Sequence, residues 1–378
     1  MAERSATDFL ARSGWGAAKV TPLAGDASTR RYVRLTAEGR NALLMDQPPN
    51  AESPPAPETA GAAEREALGY NAMARLAGAD TRRFAAVAEH LRHRGLAAPK
   101  IHAADHDGGF VILEDFGDTL YADVLANGAS EAALYKAAVE VLAKLHAAAA
   151  PKRLGADLPL YDYDEAALLA ETDLLTEWFL PLALGRLASE AEKAEHRELW
   201  RATLLRPEER VLVHRDFHAQ NLMWMPERRG LGRVGLIDFQ DAVAGSRAYD
   251  LVSLTEDARR DVSPSLAELA TAHYLDAART QGAKLDEARF RAEMAVMAAQ
   301  RNAKIVGIFA RLSKRDAKPR YLALLPRVWG HLERDLSHPA LAGLAAWYDR
   351  TIPKHRRLPV ADPGANPGAD PGPEKEKV

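Results

Sequence analysis

Apolar residues recur along this chain in two rhythms, and the rhythm changes near residue 120. Before that point runs of strand length stand out at 32–35, 41–45, 99–104 and 109–115, the last reading GFVILED. Residues 3–15 read as a short amphipathic helix with Phe9, Leu10 and Trp15 available for packing. The Ala- and Leu-rich stretches 62–76 and 81–95 read as two more helices, the second ending at Gly95. From Tyr121 onward helical spacing takes over. In 130–150, Leu134, Ala138, Val141, Leu142 and Leu145 share one stripe; 164–180, 187–205, 264–281, 286–313 and 317–335 read the same way. The pattern predicts an α+β architecture, with a small antiparallel sheet in residues 1–116 and a larger, mostly helical part in 117–352.

Two segments carry no periodicity. Residues 47–57 (QPPNAESPPAP) read as a poorly ordered, polyproline-like loop, and 353–378, rich in Pro, Gly and charge, as a disordered tail. A chain of 378 residues can bury the cores of two lobes. Its 50 basic residues nearly balance 53 acidic ones, so neither a nucleic-acid nor a membrane partner is implied. The absence of cysteine excludes disulfides and thiol chemistry and suits a reducing compartment. With no apolar N-terminal core and no stretch of membrane-spanning length, the expected home is the cytoplasm and the expected state a monomer.

The candidate chemistry is concentrated in 211–250. An apolar run at 211–213 delivers the loop His214-Arg215-Asp216-Phe217-His218-Ala219-Gln220-Asn221. Apolar runs at 222–225 and 234–237 flank a polar, Gly-containing turn, and Asp238 follows the second. If those runs pair as an antiparallel hairpin, Asn221 and Asp238 meet at one edge with Asp216 just upstream. Oxygen donors without competing thiols suit a hard cation such as Mg²⁺. The spacing H-R-D-x-x-x-x-N, followed by I-D-F, is a kinase catalytic-loop pattern with an Asp base and a metal-binding Asn and Asp. The stretch reads as a phosphotransfer site.

Upstream, Gly25 and Asp26 form a turn whose Ser28 and Thr29 hydroxyls and Arg30 or Arg31 charge could cover nucleotide phosphates. The plainer alternative is a hairpin turn with solvated arginines. The strand at 109–115 exits through Glu114 and Phe116, where a hinge binding adenine would lie; a buried strand with an exit turn is the alternative, and the position between lobes favours the hinge. Two other motifs lead elsewhere. Gly230–Gly235 matches G-x-G-x-x-G but precedes a strand instead of opening a helix, so it is no dinucleotide fingerprint. His214, Asp216 and His218 lack the further ligands of a metal hydrolase.

The segments VHRDFHAQNLMW, GLIDFQDA and SRAYDL resemble the aminoglycoside phosphotransferase-like superfamily, which is protein-kinase-like in fold. Together with GDASTRRY, LMDQPP, GFVILEDFGD, TEWFLP and RNAKIVGIFARLSKRDAKPRYL, they look most like its anomeric sugar kinases for N-acetylmuramate and N-acetylglucosamine. The resemblance spans roughly residues 5–340. It implies ATP and Mg²⁺ as cofactors, Asp216 as the base, Asn221 and Asp238 as metal ligands, and His214 and Asp250 as braces of the loop. His218, Gln240 and Asp241 would line the sugar pocket. Arg301, Asn302 and Lys304 would meet the sugar or its N-acetyl and lactyl groups, where the residues alone suggest a solvated helical face. The third strand reads ALLMD and lacks the phosphate-holding Lys of protein kinases, leaving Arg30 and Arg31 as candidates; Glu89 is a guess for the regulatory-helix acid. Antibiotic, choline or homoserine kinases share this chemistry, and a nucleotide-binding pseudokinase scaffold is the alternative of another class.

Overall fold

The computed structural model describes residues 5–23, 29–49, 51–52, 54–155 and 158–358. Five antiparallel strands form its main sheet: β1 (Lys19–Pro22), β2 (Arg31–Ala37), β3 (Arg40–Asp46), β4 (Ile101–Asp105) and β5 (Phe110–Glu114), in the order β1-β2-β3-β5-β4. The β2–β3 hairpin closes Ala37 on Arg40 around Gly39, whose φ of +71° suits a tight two-residue turn. Alternation divides the strands between two cores. Leu35, Ala42, Leu44, Phe110 and Ile112 pack on Phe9 and Leu10 of the helix Ala6–Arg12 and on Trp15 just after it. Met45, Val111 and Leu113 face the other way, into the large core shared with Phe84, Val87 and Leu91 of the helix Thr81–His93.

The helical remainder is built around Glu287–Arg315, which packs on Glu165–Leu174, Ala248–Thr255 and Leu325–Asp335. Side chains stop the orphan N–H groups at helix starts: Ser130, Asp164, Ser263 and Asp286 each cap one, and Ser189 with Glu192 forms a capping box. Gly307 lets the long helix approach closely, since a Cβ there would lie 2.4 Å from the Leu174 carbonyl carbon. Two short hairpin-like pairings sit between the sheet and the helices. Leu222–Trp224 pairs with Val234–Leu236, and Val211–Val213 pairs with Val243–Gly245.

Several predicted elements differ in detail. The stretch 62–76 is not one helix: Ala62–Leu68 ends at Gly69, with φ +96°, and a π-type turn covers Asn71–Arg75. The stretch 164–180 likewise passes into a π-type turn at Leu175–Phe179, and 317–335 opens as a 3₁₀ turn at Pro319–Leu324. The Pro-rich loop is packed where described, against expectation. Ala56 is buried and its N–H donates to the Leu76 carbonyl at 3.0 Å, while the Gln47 N–H meets the Gly109 carbonyl at 2.9 Å. Backbone hydrogen bonds to a partner segment, invisible in composition, anchor it. Among the described residues no helix is long and apolar enough to cross a membrane.

Candidate active site

The loop after Val213 is held by a buried carboxylate. Asp250 accepts the His214 N–H at 2.7 Å and the Arg215 N–H at 2.9 Å. It is itself 3.4 Å from His146, whose other ring nitrogen lies 2.9 Å from the Tyr274 hydroxyl. Burial lowers the pKa of His146, which favours the neutral imidazole in this brace. Arg215 adopts φ +74° and Asp238 φ +60°, left-handed conformations that neither residue favours. Such backbone persists only where the surroundings over-determine it, and both residues stand in the candidate site. The Arg215 side chain supplies part of that determination. It donates to the carbonyls of Ala74 (3.1 Å) and Arg75 (3.0 Å) and to Glu171 (2.5 Å), and stacks over the Tyr163 ring.

The expected hairpin brings its ends together. Leu222 pairs with Leu236, the Ile237 N–H reaches the Asn221 carbonyl at 3.2 Å, and Asn221 Nδ2 lies 3.5 Å from Asp238 Oδ2. Asn221 Nδ2 also donates to the Asp216 carbonyl at 3.0 Å, so the amide oxygen is left with no donor among the described residues. A carboxylate and a free amide oxygen at one edge fit a hard divalent cation. Among the described residues no cluster of three His, Cys, Asp or Glu could hold an ion alone. A cation here would complete its shell with phosphate oxygens and water.

Burial alone would raise the Asp216 carboxyl, but Lys304, His218, Arg215 and Arg301 outweigh it and hold its pKa at about 2. Burial pushes His218 down to about 4, so at neutral pH this ring is uncharged. Its Nε2 is 3.3 Å from Asn221 Nδ2, and its buried Nδ1 has no partner among the described residues. With Nε2 accepting, Nδ1 carries the proton and is left without an acceptor among the described residues.

Of the turn residues, Ser28 lies outside the described residues. Thr29 donates its hydroxyl to Glu52 at 2.9 Å and accepts from Gln47 at 3.0 Å. Arg30 reaches Gln240 at 2.5 Å and Asp238 at 3.1 Å, whereas Arg31 starts β2 exposed to solvent. Glu114 is spent on structure, since its carboxylate takes Arg228 at 2.7 Å and the Lys100 N–H at 3.0 Å, and its own N–H bonds the Lys100 carbonyl. Phe116 packs closely on Gly235, where a Cβ would come within 2.8 Å of its ring. Glu89 proves a wrong guess. It is exposed and faces His93 on its own helix, because the helical register turns it away from the site.

The acceptor candidates separate into spent and unspent groups. Gln240 bonds Arg30 and donates to Asp238 at 3.0 Å, and Asp241 pairs with Arg75 at 3.0 Å. Asn302 is fully buried between Glu256 (2.6 Å) and Asp335 (2.9 Å), and Lys304 pairs with Glu171 at 2.7 Å. Arg301 is buried too, so the solvated-face reading of this helix fails. The sequence reading missed Arg75, His146 and Glu171. Arg75 also binds Glu52 at 2.6 Å, tying the Pro-rich loop to the segment after Asp238. No spacing motif marks these three; Glu171 alone offered a signal, as an acid inside an apolar helical stretch.

Residues 19–291 match the phosphotransferase enzyme family. The chain is 44% identical over 360 residues, 94% of its length and 98% of the relative's, to a Caulobacter vibrioides protein named N-acetylmuramate/N-acetylglucosamine kinase. It is 32% identical over 348 residues to a Pseudomonas putida protein of the same name, covering 89% of this chain and 90% of that one. Among solved structures, the choline kinase LicA from Streptococcus pneumoniae superposes with a TM-score of 0.54 at 14% identity, over 90% of this chain and all of that one (100%). That likeness speaks for the fold alone and bears out the protein-kinase-like α+β expectation.

Proposed function

The chain belongs to the phosphotransferase enzyme family and is an ATP-dependent phosphotransferase with an alcohol group as acceptor, and we propose that this alcohol is the anomeric hydroxyl of N-acetylmuramate and N-acetylglucosamine. The observation that carries the sugar reading is the 44% identity over 94% of the chain to a relative of that name. The 1-phosphate product and a place in peptidoglycan recycling are part of the proposal. So are a cytoplasmic location and a division into a nucleotide-side part up to residue 116 and an acceptor-side part after it.

In the proposed mechanism Asp216, ionised at neutral pH, orients the acceptor hydroxyl and takes its proton as that oxygen attacks the γ-phosphorus; ADP leaves in line. Asn221 and Asp238 would hold Mg²⁺, which would supply positive charge to offset that of the nucleotide phosphates. With no third-strand Lys, Arg30 beside Asp238 supports the phosphates, and His214 and Asp250 keep the loop in place. Phe116 on Gly235 gives an apolar wall for a base. Little covalent help is needed, since phosphoryl transfer depends on positioning and charge neutralisation.

The test is phosphate transfer from ATP to both amino sugars and to their methyl glycosides. Both free sugars should yield a non-reducing, acid-labile glycosyl phosphate, and the methyl glycosides should be inert. A phosphorylated methyl glycoside, or a product that still reduces copper, would sink the anomeric assignment.

A further inference from the structure

We infer that Arg301 reads a carboxylate on the acceptor, so that within the proposed amino-sugar activity this residue favours N-acetylmuramate over N-acetylglucosamine. The inference rests on that proposed activity and goes further by assigning the discrimination to one side chain.

Arg301 lies midway along Glu287–Arg315 and is 5% exposed. Among the described residues no carboxylate pairs with it. Its protein hydrogen bond, Nη1 to the Glu256 carbonyl, is long at 3.5 Å. A guanidinium keeps its proton in a protein, so burying one without an anion is costly unless something else supplies the charge. Other buried arginines here are matched: Arg215 has Glu171, Arg65 has Asp164, and Arg357 has Glu333 and Asp349. Arg83 lacks an acid, but two carbonyls at 2.8 and 3.2 Å and the Tyr161 ring share its charge. Arg301 has only the long bond to the Glu256 carbonyl as a direct partner among the described residues.

Its neighbours place it at the acceptor side. Lys304, one turn further along the helix, is joined through Glu171 to Arg215, the residue before Asp216. Glu256 caps the helix Ala248–Thr255, whose Asp250 holds the catalytic loop. Arg301 is close enough to lower the pKa of both Asp216 and His218. Nearby Asp257 does not take the His218 proton, its Oδ1 being turned to the Arg259 N–H at 2.8 Å. Two donors on this side of the loop are therefore unspent among the described residues, His218 Nδ1–H and the Arg301 fork. Of the helix trio, Asn302 and Lys304 are already committed to Glu256, Asp335 and Glu171.

A planar fork binds a carboxylate through two parallel hydrogen bonds. N-acetylmuramate carries such a group on its lactyl ether; N-acetylglucosamine is the same sugar without it. A hydroxyl or N-acetyl oxygen could accept from Arg301 but would leave its charge unmatched.

The experiment compares three acceptors on the full chain: N-acetylmuramate, its methyl ester and N-acetylglucosamine. For the parent, kcat/KM for the acid should exceed that for the ester by about 10- to 100-fold, expressed in KM. In Arg301→Gln the acid should fall to within about threefold of the ester, because it loses far more than the ester and N-acetylglucosamine do. Arg301→Lys, keeping charge without the fork, should restore part of the gap. A gap that persists in Arg301→Gln, or a parallel loss for all three acceptors, overturns the inference. A parent that uses both sugars without an acid–ester gap overturns it alone, whether or not the variants fold. A parent that uses neither sugar overturns the amino-sugar reading with it.

Discussion

Arg30 and Asp238, 208 residues apart in sequence, are in contact: Nη2 of the first lies 3.1 Å from Oδ1 of the second. The pair spans the gap between the turn before β2 and the hairpin edge that carries the candidate metal ligands. Asp238 raises the Arg30 pKa, with Tyr32 and Asp241, against the lowering effect of burial. The two cations that looked equivalent in sequence are thus separated by one step of a strand. Arg30 turns inward and Arg31 outward.

Arg30→Ala should therefore raise KM for ATP about tenfold or more, as expected for a lost charge-assisted contact. Arg31→Ala should stay within about threefold of the parent. Steady-state kinetics with ATP varied at saturating sugar separate the two; equal effects would mean that the inward contact is not used on the nucleotide.

Asp216→Asn keeps size and polarity but cannot accept a proton, so kcat should fall by about 100- to 10,000-fold with nucleotide affinity largely kept. The sign of the Asp216 shift adds a pH expectation. Its pKa is about 2 and that of His218 about 4, so neither changes charge between pH 5 and 8. With saturating metal-nucleotide, the acid limb of kcat/KM for the acceptor should lie near or below pH 4. An acid limb near 6.5, removed by a His218 substitution, would contradict the buried neutral ring.

His196 supplies a stability test away from the site. It is fully buried against Trp347, accepts the Trp200 indole N–H at 3.0 Å, and burial lowers its pKa from 6.5 to about 3. Above pH 6.5 both folded and unfolded chains hold it neutral. Between 6.5 and 3 only the unfolded chain takes the proton, so stability is lost as pH falls. The contribution is up to about 1.4 kcal/mol per pH unit. Urea unfolding of His196→Phe should show a correspondingly shallower loss between pH 6 and pH 4, and an unchanged slope would remove this residue from the acid response.

How much of this could be read in advance depends on the range of the interaction. The Asn221–Asp238 edge was legible because two apolar runs around a turn fix a local register, and Ile237 to Asn221 follows from it. β5 was legible as a strand from its short apolar run. Arg75 and Asp241 are 166 positions apart, and Arg215 and Glu171 are 44 apart, with nothing periodic to announce them. Arg301, Asn302 and Lys304 show the difficulty most plainly. Their charge suggests a wet face, and only the packing of four helices turns that face inward.

Glu171 offers the most demanding check on that packing. It is fully buried and receives Arg215 at 2.5 Å, Lys304 at 2.7 Å and Gln300 at 3.1 Å, with the Tyr163 hydroxyl as a further donor. Burial would raise its pKa, yet the two cations hold it below the ordinary glutamate value. Its stabilising share is therefore present above pH 4.5 and lost as pH falls below it. Glu171→Gln leaves two buried cations with no shared anion and should cost about 3–5 kcal/mol of unfolding free energy. Because Lys304 can shed its charge by substitution, Glu171→Gln with Lys304→Met should recover at least about 1 kcal/mol relative to the sum of the single changes. Strict additivity in denaturant melts of the four proteins would mean that Glu171 and Lys304 do not form the coupled pair described, and that the charge beside Asp216 is balanced in some other way.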